Sequence, residues 1–205
     1  MKKILIPLLA LAFAACGTQP TNTNDNNLSQ MTQELILSRR SIRQYTSQPI
    51  SRDTLQQILN CGINAPSGRN LQAYEVRVVD NAEMLKNISA AVLLDNPDER
   101  NTNGSIFFDS KCVVFLAHDT SYDMSQVDCG LLGENIVLSA WSMGIGSCCV
   151  AHPVRMMKES PSCAPYIKQL GFSEGYNLLY GIVLGYPAEK PDARPRRNDK
   201  VQFIN

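Results

Sequence analysis

The stretch CVVFLAHDTSYDMSQVDCGLLGENIVLSAWSM, residues 112–143, decides the predicted architecture. Its first six residues, 112–117, form an unbroken apolar run of strand length, which predicts a central strand covered on both faces. A long helix is predicted over residues 125–143, with Gly144 as its cap. Because this helix is apolar nearly all round, we expect it at the centre of the fold or in a subunit interface.

Further helices and strands are predicted on both sides of this stretch. Hydrophobic periodicity and capping residues predict helices over residues 31–40, 52–63, 82–93, 154–159 and 164–170, and strands over residues 74–80 and 176–184. The polar residues 95–105 are expected to form a flexible loop or lid. Helices and strands in this order favour an α+β sandwich over a series of βαβ units.

The N-terminal residues have the composition of an export signal. Lys2 and Lys3 precede an apolar run over residues 4–15, which is shorter than the roughly 20 residues that a membrane-spanning helix needs. Residues 11–16, LAFAAC, resemble a bacterial lipobox, which implies cleavage after residue 15 and diacylation of Cys16. A signal that is uncleaved, or removed without lipidation, is the alternative. We therefore expect a lipid-anchored protein of the bacterial cell envelope.

Composition separates a polar N-terminal stretch from a globular remainder. Residues 16–29 contain almost no apolar side chains and are predicted to be a flexible tether, so the folded domain is expected to span residues 30–205. The chain has 19 basic and 19 acidic side chains in 205 residues. Because it has no net basic field, nucleic acid is not an expected partner.

The cysteines are interpreted as packing thiols. Apart from Cys16, several of them lie in apolar periodic segments, where free cysteine is commonly buried. No CxxC pair occurs and the chain has only two histidines, so neither a zinc site nor a thioredoxin-like site is expected. The adjacent Cys148 and Cys149 suggest a redox relay, but adjacent cysteines rarely form a disulfide and packing is the preferred interpretation.

Two polar segments have the chemistry of a ligand site. Arg39, Arg40, Ser41 and Arg43 lie at the end of the first predicted helix, and clustered guanidinium groups suit a phosphorylated ligand. A solvated helix end is the alternative interpretation. The second segment, residues 65–72, offers hydroxyl and amide groups in a loop before a strand, and an ordinary turn is its alternative.

Together these segments resemble the FMN-binding nitroreductase family. RRSIR at residues 39–43 and PSGRNLQAY at residues 66–74 match two family motifs in order and spacing. GIGSCCV at residues 144–150, Gly185-Tyr186-Pro187 and the late PRR at residues 195–197 extend the resemblance over most of residues 31–197. This chain departs from the family at Ala73-Tyr74, where Pro-Trp is usual, and at Lys111-Cys112, where Ala-Pro is usual. The resemblance implies a nitroreductase-like sandwich, in which helices flank a mostly antiparallel sheet, and a homodimer.

The resemblance also implies roles for individual residues. Arg39 and Arg196 would hold the FMN phosphate, with Arg197 as the alternative to Arg196, and Ser41 would bond near the phosphate or the ribityl chain. Arg43 would lie at the N1 and O2 edge of the flavin, where negative charge gathers on reduction, and would raise the reduction potential.

Other implied contacts come from the loop and from the segment after the long helix. The loop would reach the flavin bound to the other subunit, so activity would require the dimer. Its predicted contacts are Pro66, Ser67, Gly68, Asn70 and Gln72. The remaining predicted cofactor-binding residues are Arg40, Ser147, Cys148 and Cys149.

The activity implied by the resemblance is ping-pong transfer of hydride from NADH or NADPH, through FMN, to a nitroaromatic or quinone. The cofactor carries this chemistry, so no catalytic side chain is expected. Two alternatives are left open because a related fold does not fix a function. One is a flavoenzyme with a non-nicotinamide donor, since NAD(P)H is scarce outside the cytoplasm. The other is an FMN-binding envelope lipoprotein that carries flavin or has a degenerate site.

Overall fold

The fold is seen in a computed structural model, which describes residues 23–99 and 104–204. The chain divides into two units, residues 1–34 and residues 35–205. Within the described residues the helices are α1 Thr23–Ser38, α2 Arg52–Ile63, α3 Ala82–Asp95, α4 Ser125–Ser142, α5 His152–Glu159 and α6 Ala164–Leu170. The strands are β1 Tyr74–Val79, β2 Cys112–Asp119, β3 Gly146–Val150 and β4 Tyr176–Gly185. Short 3-10 helices cover Gly68–Asn70, Pro161–Cys163 and Asn198–Lys200.

The four strands form one antiparallel sheet in the order β1-β2-β4-β3. Strand β2 lies inside the sheet, where Phe115 pairs with Gly181 of β4 and with Arg77 of β1. Every residue of β2 except Asp119 is buried, as the continuous apolar run predicts. The predicted α+β fold with an antiparallel sheet is confirmed.

Two hydrophobic clusters form the core, one on each face of the sheet. Successive strand residues point to opposite faces, so Phe115 lies in one cluster and Leu116 in the other. The cluster around Phe115 contains side chains of α3, α5 and α6, among them Ile88 and Met157. The cluster around Leu116 contains side chains of α2 and α4, among them Ile136. Helices therefore cover both faces of the sheet, which gives the predicted sandwich.

Helix α4 is largely buried and ends where the sequence predicts. Leu132, Ile136 and Ala140 are buried, while Val127 and Leu131 remain exposed on its other side. Gly144 has a φ of 73°, a left-handed conformation that glycine adopts easily at a helix end. The exposed apolar side chains leave part of the helix unpacked within the single chain.

Two predictions need correction. Helix α1 begins at Thr23, so residues 23–29 of the predicted tether are helical. Its polar side chains bond along the helix instead of packing, for example Gln30 Nε2 to Glu34 Oε1 at 2.8 Å, and hydrophobic periodicity does not detect such a helix. The second correction is β3, which is missing from the predicted strands. It is a strand because its main chain pairs with β4.

Some predictions concern residues outside the described part of the chain. The export signal at residues 1–15, Cys16 and residues 100–103 of the predicted lid are among them. None of the helices within residues 23–99 and 104–204 combines the length and the apolar character that a membrane crossing requires.

Candidate functional site

The arginine segment, residues 39–43, is held by backbone hydrogen bonds on its inner side. The Ile42 N–H donates to the Ser147 carbonyl of β3 at 2.9 Å, and Ser41 forms a parallel bridge with Ser147. Ile42 is completely buried, so the segment is fixed by packing as well as by hydrogen bonds. Since neighbouring residues of an extended chain point in opposite directions, burying Ile42 turns Ser41 and Arg43 away from the core.

The C-terminal stretch after β4 holds the other side of the arginine segment. The Ala188 N–H donates to the Gln44 carbonyl at 2.9 Å, and Tyr45 pairs with Pro187. The Glu189 carboxylate accepts hydrogen bonds from the backbone N–H groups of Arg43 and Gln44. The sequence analysis missed Glu189, because nothing local indicates that it lies beside a segment about 145 residues away in the chain.

A cavity of about 220 Å³ lies against this segment and is strongly cationic. We call it the arginine cavity; its lining residues are Arg39, Arg40, Ser41, Arg43, Pro191, Asp192, Arg194 and Arg196. One carboxylate therefore faces five guanidinium-bearing residues. Such an excess of guanidinium groups favours an anion with several acceptor oxygens, as in a phosphate.

The arginines differ in how they are engaged. Within residues 23–99 and 104–204, no salt bridge is formed by Arg39, Arg43 or Arg196. Arg40 donates instead to the carbonyls of Leu37 and Arg39, at 2.7 and 2.8 Å, at the negative end of helix α1. The geometry thus favours Arg39 over Arg40 as an anion ligand.

The choice between Arg196 and Arg197 is also clear from the geometry. Arg196 lines the arginine cavity. The Arg197 guanidinium pairs with Asp199 at 2.7 Å and does not line the cavity. Of the two predicted alternatives, the structure therefore places Arg196 at the site.

A second cavity, of about 310 Å³, shares Arg43 with the first. We call it the thiol cavity; its lining residues are Arg43, Glu99, Ser105, Ile106, Phe108, Cys148, Cys149, Val150, Ala151, His152, Pro153 and Met156. Its walls are mainly apolar with a few polar groups, which is typical of a site for a flat aromatic ligand. The guanidinium of Arg43 lies 6.0 Å from the Phe108 ring centroid.

Cys148 and Cys149 are both lining residues of this cavity, and both are free cysteines. Cys148 is buried and Cys149 is exposed, as expected for neighbours that face opposite sides of a strand. Burial raises the pKa of Cys148, while the positive charges of Arg43 and Arg39 lower it by a smaller amount. Burial also raises the pKa of Cys149 to about 11. Packing is confirmed for Cys148, but Cys149 lies at the surface of the cavity.

His152 and Glu99 are residues of this site that the sequence analysis missed. The His152 Nε2 lies 3.5 Å from Glu99 Oε2, and its Nδ1 lies 3.0 Å from a guanidinium nitrogen of Arg155. His152 is the second residue after the GIGSCCV motif, so its position was the available signal. Glu99 belongs to a polar stretch with no pattern that could single it out.

Ser147 contributes to the site through its backbone. Its side chain is only 1% exposed, and its hydroxyl has no hydrogen-bond partner within residues 23–99 and 104–204. Its carbonyl holds Ile42, as described above. The structure thus makes Ser147 a support for the arginine segment, and a direct side-chain contact with a ligand stays a prediction.

The second predicted segment, which we call the polar loop (residues 65–72), is attached to α4. The Gly68 N–H donates to Asp128 Oδ1 at 3.0 Å, and the Gln72 N–H donates to Ser67 Oγ at 3.1 Å. A β-carbon on Gly68 would lie 2.1 Å from the Tyr122 hydroxyl, so glycine allows this close approach. Pro66, Asn70 and Gln72 are exposed, and the loop lines neither the arginine cavity nor the thiol cavity.

The two predicted groups are far apart within one chain. Asp128, which holds the loop, lies near the start of α4, whereas Trp141 near its end donates to Ser38 Oγ at 2.9 Å, beside Arg39. A rise of 1.5 Å per residue separates these two helix positions by about 20 Å. A single chain therefore does not bring the loop to the arginine cavity.

Other features of the described residues lie outside this arrangement. A cleft of about 630 Å³ between α3 and the segment before β2 contains none of the predicted site residues, although Ser105 borders both it and the thiol cavity. No three His, Cys, Asp or Glu side chains within residues 23–99 and 104–204 are grouped to hold a metal ion.

The fold and the site together define a class of protein. A helix-covered antiparallel sheet carries a cationic cavity and a mainly apolar cavity, and Arg43 lines both. This is an arrangement for a phosphorylated aromatic cofactor, because the phosphate and the ring each meet a matching surface.

The chain belongs to the nitroreductase family. The family model described as "Nitroreductase family" matches residues 36–186, a range that includes the arginine segment, the polar loop and β3 but ends before Arg196. The chain is 30% identical, over 78% of its length and 87% of the relative, to a protein of Archaeoglobus fulgidus described as an NADH dehydrogenase/NAD(P)H nitroreductase. It is 29% identical, over 80% of its length and 68% of the relative, to the NADPH-flavin oxidoreductase of Vibrio harveyi.

A solved structure gives the same result. The nitroreductase of Desulfitobacterium hafniense DCB-2, determined with bound FMN, superposes with a TM-score of 0.76 at 28% identity. The match covers 85% of this chain and 98% of the D. hafniense chain. The family and the nitroreductase fold, both implied by the sequence motifs, are confirmed.

Proposed function

We propose that this chain is an FMN-dependent oxidoreductase that passes hydride from NADH or NADPH to a small electrophile such as a nitroaromatic or a quinone. The observation that carries the proposal is that Arg43 lines both the arginine cavity and the thiol cavity. It is supported by relatives that are described as an NADPH-flavin oxidoreductase and an oxygen-insensitive NADPH nitroreductase, and by the FMN bound in the D. hafniense structure.

The residues of the two cavities fit FMN at both of its ends. Arg39, Ser41 and Arg196 line the arginine cavity; in this proposal the two guanidinium groups would hold the phosphate and Ser41 would donate its hydroxyl. Arg43 lines both cavities and would stabilise negative charge on the flavin ring when it is reduced. FMN supplies the hydride-transfer chemistry, and the protein supplies its position and its electrostatic surroundings.

The donor and the acceptor are proposed to use the thiol cavity in turn, which gives ping-pong kinetics. The walls of this cavity include Phe108 and Met156, which suit flat apolar molecules. Arg43 supplies donors for the oxygen atoms of a nitro group or a quinone. The cavity thus has surfaces for both parts of such an acceptor.

We propose further that the site is completed in a homodimer. The polar loop lies about 20 Å along α4 from the position of Ser38, by the helix rise of 1.5 Å per residue. A second copy of the chain, related by a twofold axis, can supply the loop that the first copy cannot reach. Exposed apolar side chains of α4, including Val127 and Leu131, offer surface for such an interface.

The N-terminal sequence supports a lipid-anchored location in the bacterial envelope. The features that support this location are the basic residues Lys2 and Lys3, the short apolar run over residues 4–15 and the lipobox-like residues 11–16. In that location a donor other than NAD(P)H is the second candidate for the reduction of FMN. Metabolic labelling with a tritiated fatty acid tests the anchor. We expect the unmodified chain to carry the label and the Cys16→Ser variant, which is the control, to remain unlabelled. An unmodified chain without label contradicts the proposal.

The function itself is tested by the absorption spectrum of the purified full-length chain, before and after anaerobic addition of NADH or NADPH. We expect bound flavin that loses its visible absorption when either nucleotide is added and regains it when a quinone follows. Flavin that neither nucleotide reduces indicates another donor or a flavin carrier. Protein that stays colourless after addition of FMN contradicts the proposed function.

A further inference from the structure

The polar loop has an unusual backbone. Arg69, Asn70 and Gln72 have φ angles of 52°, 56° and 50°, in the left-handed region that residues with a β-carbon disfavour. Asparagine tolerates this region better than arginine or glutamine does. A loop with this backbone keeps its shape only when the surrounding structure holds it.

Asp128 is the side chain outside the loop that bonds to its backbone. Its Oδ1 accepts the Gly68 N–H at 3.0 Å, and Gly68 immediately precedes the left-handed residues. Backbone bonds tie the two ends of the loop to its neighbours, from Ala65 N–H to the Gly62 carbonyl and from Tyr74 N–H to the Gln72 carbonyl, and the bonds that Ser67 accepts from Asn70 and Gln72 are internal. Asp128 is therefore the side chain that ties the middle of the loop to α4.

The burial of Asp128 is costly and calls for an explanation. The residue is 3% exposed, and its Oδ2 has no hydrogen-bond partner within residues 23–99 and 104–204. A buried carboxylate is retained only when something offsets its desolvation. Here the first turn of α4 supplies a positive helix end, and Gly68 supplies a donor.

Two tyrosines complete the surroundings of this carboxylate. The Tyr122 hydroxyl packs against Gly68 and leaves no room for a side chain there. The Tyr74 hydroxyl is buried and, within residues 23–99 and 104–204, has no hydrogen-bond partner. Burial, and next the charge of Asp128, raise the pKa of Tyr74, so its hydroxyl remains protonated near neutral pH. The carboxylate thus sits in a closed pocket behind the loop, away from both cavities.

We propose that Asp128 is the positioning residue of the polar loop: its buried carboxylate holds Gly68 and keeps the left-handed turn in the shape that presents Ser67 and Asn70 to FMN. The proposal rests on the proposed function, because it assigns the loop to FMN bound by the partner subunit. Asp128 acts through the loop and does not itself contact the cofactor.

Two substitutions separate positioning from general stability. In Asp128→Asn the amide oxygen can still accept the Gly68 N–H. In Asp128→Ala the acceptor is lost. Ser139→Ala serves as the matched control, since Ser139 lies on the same helix and its buried hydroxyl has no partner among the described residues.

The first readout is FMN affinity, measured by quenching of flavin fluorescence. Loss of a hydrogen bond to a charged group is expected to raise the Kd for FMN about tenfold in Asp128→Ala. The Asp128→Asn and Ser139→Ala variants are expected to stay within about threefold of the unmodified chain, because both keep the Gly68 anchor.

The second readout does not depend on FMN. Trypsin cleaves after Arg69, which is exposed, and its access depends on the shape of the loop. In FMN-free protein, cleavage after Arg69 is expected to accelerate in Asp128→Ala while cleavage after Arg52 and Lys168 stays unchanged. Uniform acceleration at all three positions indicates a general loss of stability and overturns the proposal.

The results distinguish the two proposals. An unmodified chain that fails to bind FMN contradicts the proposed function, whatever the trypsin result. An unmodified chain that binds FMN, together with an Asp128→Ala variant of equal affinity and equal Arg69 cleavage, overturns the role of Asp128 alone. Equal losses in the alanine and asparagine variants overturn it too, because the asparagine keeps the acceptor for Gly68.

Discussion

Replacing Arg39 with alanine is expected to weaken FMN binding about 100-fold, because two charge-assisted hydrogen bonds to the phosphate disappear. Arg39 is half-buried, lines the arginine cavity and makes no salt bridge within residues 23–99 and 104–204. Its guanidinium can therefore engage a phosphate without first breaking an ion pair. The measurement is a fluorescence titration of FMN against the variant and the unmodified chain at one fixed salt concentration.

Arg40→Ala is the matched control for Arg39→Ala. The Arg40 guanidinium bonds to the carbonyls of Leu37 and Arg39, so its removal should change the Kd for FMN less than about threefold. If both variants lose affinity equally, the cavity attracts FMN through its total charge, and no specific phosphate ligand can be assigned to Arg39.

Mixing subunits tests whether the loop and the arginine cavity of one site come from different chains. An Arg39→Ala subunit and an Asn70→Ala subunit are each expected to bind FMN weakly on their own. In a mixed dimer, one site carries both substitutions and the other carries neither, so half of the sites should recover full affinity. Mixed dimers without recovery would show that each chain builds its own site.

Leu116→Ala is expected to lower the free energy of unfolding by about 2–5 kcal/mol, since it leaves a cavity in the core. Leu116 is completely buried in β2, against side chains of α2 and α4. Chemical denaturation followed by circular dichroism measures the change. Leu94→Ala is the control, because Leu94 is 73% exposed and its truncation should cost less than about 0.5 kcal/mol. A similar loss in both variants would mean that β2 does not form the centre of the core.

The fold was largely predictable because its main elements carry local signals. The apolar run at the start of β2 identified the central strand. A capping residue identified the start of α2, where the Ser51 side chain accepts the Thr54 N–H. Strand β3 was not predictable in this way. Its sequence GSCCV shows no strand alternation, and its pairing partner β4 begins 26 residues after β3 ends, at Tyr176.

The candidate site was predicted through motifs, and its remaining parts depend on tertiary contacts. The motifs indicated Arg39 and Arg43, but left Arg196 and Arg197 as alternatives until the ion pair of Arg197 with Asp199 separated them. Asp128 and Glu189 act on backbone N–H groups that are distant in sequence, so no local pattern marks them. The separation of the loop from the arginine cavity likewise follows from the length of α4 alone.

The backbone of the polar loop implies a trade-off between activity and robustness. Each left-handed residue other than glycine costs about 1–2 kcal/mol, and Arg69 and Gln72 tolerate that conformation poorly. Glycine at Arg69 or Gln72 would relieve this backbone strain and is expected to raise the thermal stability of the protein. At Asn70 and Gln72 the same change would remove a side chain that is predicted to contact the cofactor, so within this loop only Arg69 can be exchanged for glycine without that loss.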